Sequence, residues 1–279
     1  LPSWHSTRLR ELYDLDENVM RRYVIAMFCV TIDTAASVPT CSRFSRDEIL
    51  RLFPLAEPRM NVIYPFLQPR ETPPKRQRFA FLHVGKFEPR KNHRLVVEAF
   101  MRAYDRLSAR DREEASLTLI GDVSYRECGR EVVQVVRNAA RDYPIRFLGV
   151  TSEEELWRQY AAAYAFVFPS AFEGFGIPVV EAMSAGTAVI TANRGGTREA
   201  AGDAALLVGN LEPETVAGAM LTLWYDRALH QQLRERGARR AADFTRTQSS
   251  AQFEAAVDRA AGEDRLPRAQ RRIAAAGPQ

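Results

Sequence analysis

The sequence has few cysteines and none of them lie close together. Cys29, Cys41 and Cys128 are the only three in 279 residues, and no CxxC pair occurs. This spacing indicates neither a zinc site nor a disulfide framework. A reducing compartment such as the cytosol fits the chain best.

Long hydrophobic runs are also lacking. The longest apolar run, residues 23–32, is about half of the roughly 20 residues that a membrane-spanning helix needs. We therefore expect a buried or interfacial helix there. The chain begins with Leu1 and shows no signal-like succession of charged, apolar and small residues. This start predicts a fragment of a longer protein.

A large excess of charge of one sign is absent as well. The 39 basic residues are set against 35 acidic ones, giving a net charge of +4. This small excess suits anionic ligands or membrane headgroups, and no nucleic-acid-binding motif accompanies it, so we expect no nucleic-acid partner. Peripheral contact with a membrane stays open as an alternative.

Short apolar runs alternate with segments of helical period from residue 79 onward. Each run is almost continuously apolar, as in strands that are covered on both faces, and helices fill the intervals between them. This alternation predicts an α/β fold with a doubly wound, Rossmann-like parallel sheet. The predicted strands are residues 79–84, 117–120, 145–148, 164–168, 188–191 and 205–208.

The chain divides into four predicted parts. Residues 1–65 resemble the end of a preceding domain, with helices at 15–35 and 45–52 and strands at 38–41 and 61–64. A proline-containing linker follows at 66–78. Residues 79–264 form the main domain with its carboxyl-terminal helices, and 265–279 form a tail without a strong pattern.

One glycine-bearing loop stands out at the end of a predicted strand. The strand ends at Pro169, and a helix begins near Pro178. The carboxyl ends of parallel strands are where open α/β sheets bind ligands, and helix-start amides favour anions. Glu173 and Glu181 could both reach that crevice and accept hydrogen bonds from a polyol. The alternative, that both are solvated surface acids, stays open on these grounds alone.

Residues 169–183, PSAFEGFGIPVVEAM, closely resemble the EX7E signature of retaining glycosyltransferase family 4, which has the GT-B fold. The likeness continues through SAGTAVI at 184–190 and REAAGDAALL at 198–207, and upstream through FLG at 147–149 and ELWRQY at 155–160. It extends more loosely to CSRFSRDEI at 41–49 and VIYP at 62–65. The resemblance implies a Rossmann-like donor domain preceded by only the end of the amino-terminal acceptor domain.

A second matching segment, GKFEPRKN at residues 85–92, resembles the phosphate-binding segment of that family. Lys86 stands where the family commonly has arginine. The lysine retains the positive charge but cannot make the bidentate contact that arginine makes with a phosphate. Lys91 matches the family's lysine. Arg90 either touches phosphate or faces solvent, and both alternatives stay open. Asn92 stands where glycine is common and tolerates unusual backbone angles.

The resemblance assigns a role to each matching residue. It implies that Glu181 binds the ribose hydroxyls, that Glu173 is the catalytic carboxylate near the donor sugar, and that lysines neutralise the diphosphate. No metal or other cofactor is expected, since no acidic cluster or Asp-x-Asp lies near Asp122 at the strand end to hold a metal with a nucleotide. The expected donor-binding residues are Gly85, Lys86, Arg90, Lys91, Val150, Gly174, Phe175, Gly176, Ile177 and Glu181.

The polar residues outside these segments give no strong indication of catalysis or binding. We interpret His83 as a packed, hydrogen-bonded residue inside a strand, and Asp122 as a turn residue. Residues 193–197 follow another strand end and are either a border of the sugar pocket or a plain turn. Val150, just beyond a strand end, is expected to lie against the nucleobase through its backbone.

The predicted function is retaining transfer of a sugar from a nucleoside diphosphate to a hydroxyl of a glycan or lipid-linked acceptor. The overall resemblance to bacterial mannosyltransferases of surface polysaccharide assembly favours GDP-mannose, although the residues do not choose among GDP, UDP and ADP. The predicted location is the cytoplasm, with the inner face of the membrane as an alternative. Two other functions stay open: a nucleotide-sugar epimerase on the same fold, and a non-catalytic binding fragment.

Overall fold

A computed structural model describes residues 28–68, 80–124 and 126–264. The amino-terminal segment begins with helical residues 28–34. Two short parallel strands, β1 (Val38–Thr40) and β2 (Met60–Val62), flank helix α1 (Arg43–Leu50) and a 3-10 helix at Pro54–Arg59. The predicted strands and helix of this segment are confirmed to within two residues. The part of the predicted first helix before residue 28 lies outside the described residues.

Six parallel strands form the main sheet. They are β3 (Ala80–Val84), β4 (Ser116–Ile120), β5 (Ile145–Gly149), β6 (Ala165–Phe168), β7 (Ala188–Ala192) and β8 (Leu206–Val208). The six predicted strands are confirmed, since each coincides with one of these strands. Their order in the sheet is β5-β4-β3-β6-β7-β8, which is the order of a doubly wound Rossmann-like fold with its reversal between β3 and β6.

Helices cover both faces of this sheet. Two apolar clusters, one on each face, bury the strands between them, which is why the strand sequences are continuously apolar. Every residue of β6 and β7 is buried. The helices are α2 (His93–Asp105), α3 (Ala109–Glu114), α4 (Arg126–Arg137), α5 (Glu153–Ala162), α6 (Ile177–Ser184), α7 (Gly195–Ala201), α8 (Pro213–Tyr225), α9 (Arg227–Ala241) and α10 (Arg246–Asp264).

Some helices were not expected from the sequence. The short α3, which has no buried residues, was missed, while α4 lies in an interval where a helix was predicted without bounds. The prediction of a loop at 193–197 was wrong from Gly195 onward, because helix α7 begins at that residue. Two glycines at a helix start conceal it, since glycine has low helix propensity.

The last helix returns to the amino-terminal segment. Ser249 Oγ donates to the Tyr64 carbonyl at 2.6 Å, and the Tyr64 amide donates to Gln252 Oε1 at 3.0 Å. Arg259 Nε donates to Asn61 Oδ1 at 3.0 Å. These bonds join the two ends of the described chain into one body. Residues 69–79, which include most of the predicted linker, and the predicted tail lie outside the described residues, and the domain boundaries stay predictions.

Within the described part of the chain, no helix combines the length and apolarity that crossing a membrane requires.

Candidate functional site

The site lies where the strand order reverses, between β3 and β6. A crevice opens at such a point because the connections on its two sides leave toward opposite faces of the sheet. The loop after β3 contains Lys86 and Lys91, and the loop after β6 contains Glu173. The two segments that the sequence singled out therefore meet at one edge of the sheet.

Glu173 is held by three donors from these loops. Its Oε1 lies 2.6 Å from Lys91 Nζ and 2.7 Å from Arg90 Nη1, and it accepts a hydrogen bond from Ser170 Oγ at 3.0 Å. All three contacts go to Oε1, and no hydrogen bond to Oε2 is found among the described residues. Oε1 thus anchors the carboxylate.

Lys91 and Arg90 are largely withdrawn from solvent. Their side chains are 10% and 14% exposed, so Arg90 does not face solvent. Burial lowers the pKa of Lys91, while the charge of Glu173 opposes that shift. The Lys91 ammonium also lies over the Phe168 ring, 4.7 Å from its centroid. A second carboxylate, Glu88, lies 2.8 Å from Arg90 Nη2.

The loop after β3 is built to present these cations. Pro89–Lys91 forms one 3-10 turn, and Asn92 follows with a left-handed backbone at φ 58°. Asparagine tolerates that conformation, which accounts for its presence where glycine is common in the family it resembles. Its Nδ2 donates to the Pro169 carbonyl at 2.8 Å, which ties this loop to the loop after β6.

The glycine loop ends in a helix start with open amides. Gly176 has φ 104°, a left-handed value that favours glycine, and helix α6 begins at the next residue. The amide groups of residues 174–177 donate to no acceptor within residues 28–68, 80–124 and 126–264. Such a row of N–H groups is suited to an anion.

Glu181 lies one turn into helix α6 and is partly buried. Tyr160, which is fully buried, donates its hydroxyl to Glu181 Oε2 at 3.0 Å. Burial raises the pKa of Glu181, and the hydrogen bond from Tyr160 opposes that shift. Burial raises the pKa of Tyr160 well above 10.0, and the Glu181 carboxylate adds to the effect. As in Glu173, the protein fixes one carboxylate oxygen, and the other accepts no hydrogen bond from the described residues.

Three glycines lie at or just after the carboxyl ends of β3, β4 and β5. Gly85 donates its amide to the Ile120 carbonyl, and Gly121 donates to the Gly149 carbonyl, both at 2.9 Å. A Cβ at Gly121 would lie 2.0 Å from the Gly85 carbonyl oxygen, so no side chain fits there. Beyond them Val150 is 81% exposed. The side chain of Lys86 is exposed as well, unlike that of Lys91.

Two buried histidines lie beneath the loop after β3. His83 Nδ1 donates to the Val167 carbonyl at 2.7 Å, and His93 Nε2 donates to the Gly85 carbonyl at 3.1 Å. Their rings contact each other at 4.3 Å between centroids. Burial lowers the pKa of His83 to about 4, so both its packing and its neutral state fit the structural role that the sequence indicated.

We expect acid to destabilise the fold through His83. Its pKa is about 4 in the folded chain and 6.5 in the reference state, so the unfolded chain binds the proton first as the pH falls. The free energy of unfolding should therefore drop by roughly 3 kcal/mol between pH 6.5 and pH 4 through this group. Urea unfolding across this range measures it, and His83→Asn should show a shallower dependence; equal slopes would contradict the assignment.

The part of the chain that forms this crevice matches a known protein family. The sequence model described as "Glycosyl transferases group 1" matches residues 67–240, which is more than half of the chain. The chain belongs to that family. The match spans both loops of the crevice, so Lys91, Glu173 and Glu181 all lie within the part that defines this group 1 glycosyltransferase.

Curated relatives of this group 1 glycosyltransferase include mannosyltransferases. The O-antigen chain mannosyltransferase B of Escherichia coli is 32% identical over 238 residues, which are 80% of this chain and 61% of the relative. The O-antigen chain mannosyltransferase RfbU of Salmonella typhimurium is 27% identical over 191 residues, 66% of this chain and 50% of the relative. The chain thus spans half to three fifths of these relatives. The predicted membership of a glycosyltransferase family is confirmed.

Solved structures resemble the group 1 glycosyltransferase in fold. Sucrose-phosphate synthase from Thermosynechococcus elongatus superposes with a TM-score of 0.67 at 23% identity, covering 81% of this chain and 58% of the other. The Anabaena protein Alr3699/HepE, solved in complex with UDP and glucose, gives 0.69 at 19% identity, covering 82% and 63%. The predicted GT-B type of fold is confirmed.

The sequence did not indicate every group that builds the site. Ser170 and Tyr160, each of which orients one of the two glutamates, lie within matching segments but received no role. Glu199 was missed as well: its carboxylate accepts bonds from the amides of Arg43 and Phe44, more than 150 residues away. No spacing signal marks such contacts. Asp122 is a turn residue as predicted, since its Oδ1 accepts from the Ser124 amide at 2.9 Å.

Proposed function

We propose that this chain binds a nucleoside-diphosphate sugar in the crevice and is the donor-binding part of a retaining mannosyltransferase. One observation carries the proposal: Lys91 and the open amides of residues 174–177 lie at the switch point of the sheet, beside two glutamates that each have one open oxygen. Cationic and amide donors match a diphosphate, while open carboxylate oxygens match sugar hydroxyls. The crevice would thus bind both the diphosphate and the hydroxyl groups of such a donor.

The diphosphate is proposed to lie over the loop after β3. Lys91 and the amides of the glycine loop would neutralise the charge that the leaving nucleoside diphosphate gains. Lys86, exposed on the same loop, would add a second cation at the mouth of the crevice. Because these groups supply positive charge, we propose that transfer needs no divalent metal. Glu181 would bind the ribose, and Gly85 and Val150 would border the nucleobase.

Glu173 is proposed to orient the donor sugar rather than to attack it. Its Oε1 is engaged by two cations and a hydroxyl, and these bonds lower the nucleophilicity of the carboxylate. Its open Oε2 is suited to accept a hydroxyl of the sugar. We therefore propose retention by substitution on one face of the sugar, without a glycosyl adduct on Glu173. Isolation of such an adduct would contradict this step.

Mannose and a surface-glycan acceptor are proposed from the relatives. The names of the Escherichia coli and Salmonella typhimurium relatives describe O-antigen chain mannosyltransferases. By analogy, GDP-mannose is the proposed donor and a glycan or lipid-linked glycan the proposed acceptor. A lipid-linked acceptor would bring the protein to the inner face of the membrane from the cytoplasm.

Calorimetric titration tests the donor site. We expect the chain to bind GDP and GDP-mannose with a dissociation constant below about 1 mM, at least tenfold more tightly than UDP or ADP. The same titration with EDTA should give the same affinity. Preference for another nucleotide would contradict the proposed donor, and absence of binding by all of them would contradict the donor site.

A non-catalytic function is the second candidate. Donor binding without hydrolysis of the sugar nucleotide and without transfer to any glycan would support this candidate. Release of GDP from GDP-mannose, measured by coupled assay, would favour the enzyme.

A further inference from the structure

Helix α1 of the amino-terminal segment contacts the glycine loop directly. Ser42 and Ser45 both donate their hydroxyls to the Gly174 carbonyl, the second at 3.1 Å. Ser42 is fully buried, and its hydroxyl also accepts the Ser45 amide at 2.9 Å as the N-cap of α1. The carbonyl that receives two side-chain donors thus belongs to the loop between the two glutamates of the site.

A carboxylate of the main domain fixes the position of this helix. Glu199 accepts the amide of Arg43 on Oε1 at 2.9 Å and the amide of Phe44 on Oε2 at 2.8 Å. The Tyr64 hydroxyl donates to the same Oε1 at 2.7 Å. The first amides of a helix have no partner within the helix, so an acidic side chain there is a strong anchor. Glu199 therefore determines where Ser42 and Ser45 lie.

Fixing a carbonyl also fixes the amide in the same peptide group. A trans peptide is planar, and its C=O and N–H point in opposite directions. Since the Gly174 carbonyl points to α1, the Phe175 N–H points away from α1, and it has no acceptor among the described residues. The chain also passes close to Gly196 here, where a Cβ would lie 2.3 Å from the Gly174 oxygen.

We propose that Ser42, Ser45 and Glu199 are positioning residues that aim the Phe175 amide at the diphosphate of the donor. The inference rests on the proposed function of the crevice. It assigns to the amino-terminal segment a part in donor binding, although none of its side chains touches the donor. The part of the ligand affected is the diphosphate, because the nucleoside is held elsewhere, by Glu181.

Ser45→Ala is the sharpest variant because the Ser45 hydroxyl does not cap the helix. Alanine has a higher helix propensity than serine, so α1 should not be weakened. We expect Ser45→Ala to weaken GDP binding about tenfold, the loss typical of one hydrogen bond to a charged group. GMP, which lacks the second phosphate, should change less than about threefold. Ser45→Thr, which keeps the hydroxyl, should restore the affinity for GDP.

Ser42→Ala and Glu199→Gln should give the same pattern with larger losses. Ser108→Ala is the matched control for a lost helix cap, since Ser108 caps α3 through the Asp111 amide and does not touch the loop. It should leave GDP and GMP binding unchanged. A readout without ligand is the amide resonance of Phe175 in a nitrogen-15 correlation spectrum. It should move in Ser45→Ala and stay in place in Ser108→Ala.

The outcomes separate the two proposals. Unchanged GDP binding in Ser45→Ala, or equal loss of GDP and GMP, would overturn the positioning role while leaving the donor site intact. Failure of the unaltered chain to bind any nucleotide would overturn the donor site itself, and the positioning role with it. A selective loss of GDP affinity together with a shifted Phe175 resonance would support both.

Discussion

Replacing Glu181 with alanine is expected to weaken binding of GDP and GDP-mannose by roughly a hundredfold. The open oxygen of this partly buried carboxylate is the proposed acceptor for ribose hydroxyls, and hydrogen bonds to a charged group contribute about 1.5–3 kcal/mol each. Alanine provides no replacement. Calorimetric titration of the variant with both ligands measures the loss, which should appear equally for GMP because GMP carries the same ribose.

Tyr160→Phe tests the hydrogen bond that supports Glu181 separately from the carboxylate itself. In Glu181→Ala the buried Tyr160 hydroxyl loses its acceptor, which should lower the free energy of unfolding by about 1–3 kcal/mol. Tyr160→Phe removes that hydroxyl but leaves the carboxylate, so GDP affinity should fall less than about tenfold. Glu181→Gln keeps an acceptor for Tyr160 and should lose affinity without losing stability. Wild-type affinity in both Glu181 variants would remove Glu181 from the donor site.

Glu173→Gln is expected to lower the free energy of unfolding by about 3 kcal/mol, the usual cost of leaving one buried partner of an ion pair alone. The partner left alone is Lys91, which is 10% exposed and lies 2.6 Å from Glu173 Oε1. Arg90 keeps its contact with Glu88. Denaturant unfolding of the wild type and the variant at pH 7.5 measures the difference. Sugar transfer or hydrolysis should be lost as well, since both the cation and the carboxylate are then misplaced.

A double variant tests whether the buried lysine is the cause. Adding Lys91→Met to Glu173→Gln removes the uncompensated ammonium and keeps an unbranched chain over Phe168, so part of the stability should return. The dependence on pH gives a second check: the pKa of Lys91 is already lowered by burial, and loss of Glu173 lowers it further. The unfolded chain then binds more protons, so the destabilisation should shrink as the pH rises toward 10.5. A double variant less stable than Glu173→Gln would contradict this account.

The central strands were predictable because both of their faces are buried. A sequence such as that of β7, all of it buried, has no polar position to break the apolar run. Helix α2 was predicted because its apolar residues recur at helical spacing and form one buried face. Helix α3 has no buried residue, and without an apolar stripe a sequence pattern cannot reveal it.

The sequence predicted where the candidate residues lie in the fold, but not the bonds between them. The glycine loop and Lys91 carry local signals, namely strand end, glycine and helix start, so their place at the sheet edge followed from the sequence. The pairing of Lys91 and Arg90 with a single oxygen of Glu173 depends on how two loops fold against each other. The contact of Glu199 with the start of α1 joins residues 155 and 156 positions apart. No local sequence pattern predicts either of these contacts.

The return of helix α10 to the first strands has a consequence for the order of synthesis. Tyr64 bonds to residues 185 and 188 positions later in the chain. At about 5–20 residues per second, a ribosome needs roughly 10–40 s to make that interval. The bonds between Tyr64 and α10 therefore form only after α10 has been made, so this part of the fold is completed late in synthesis.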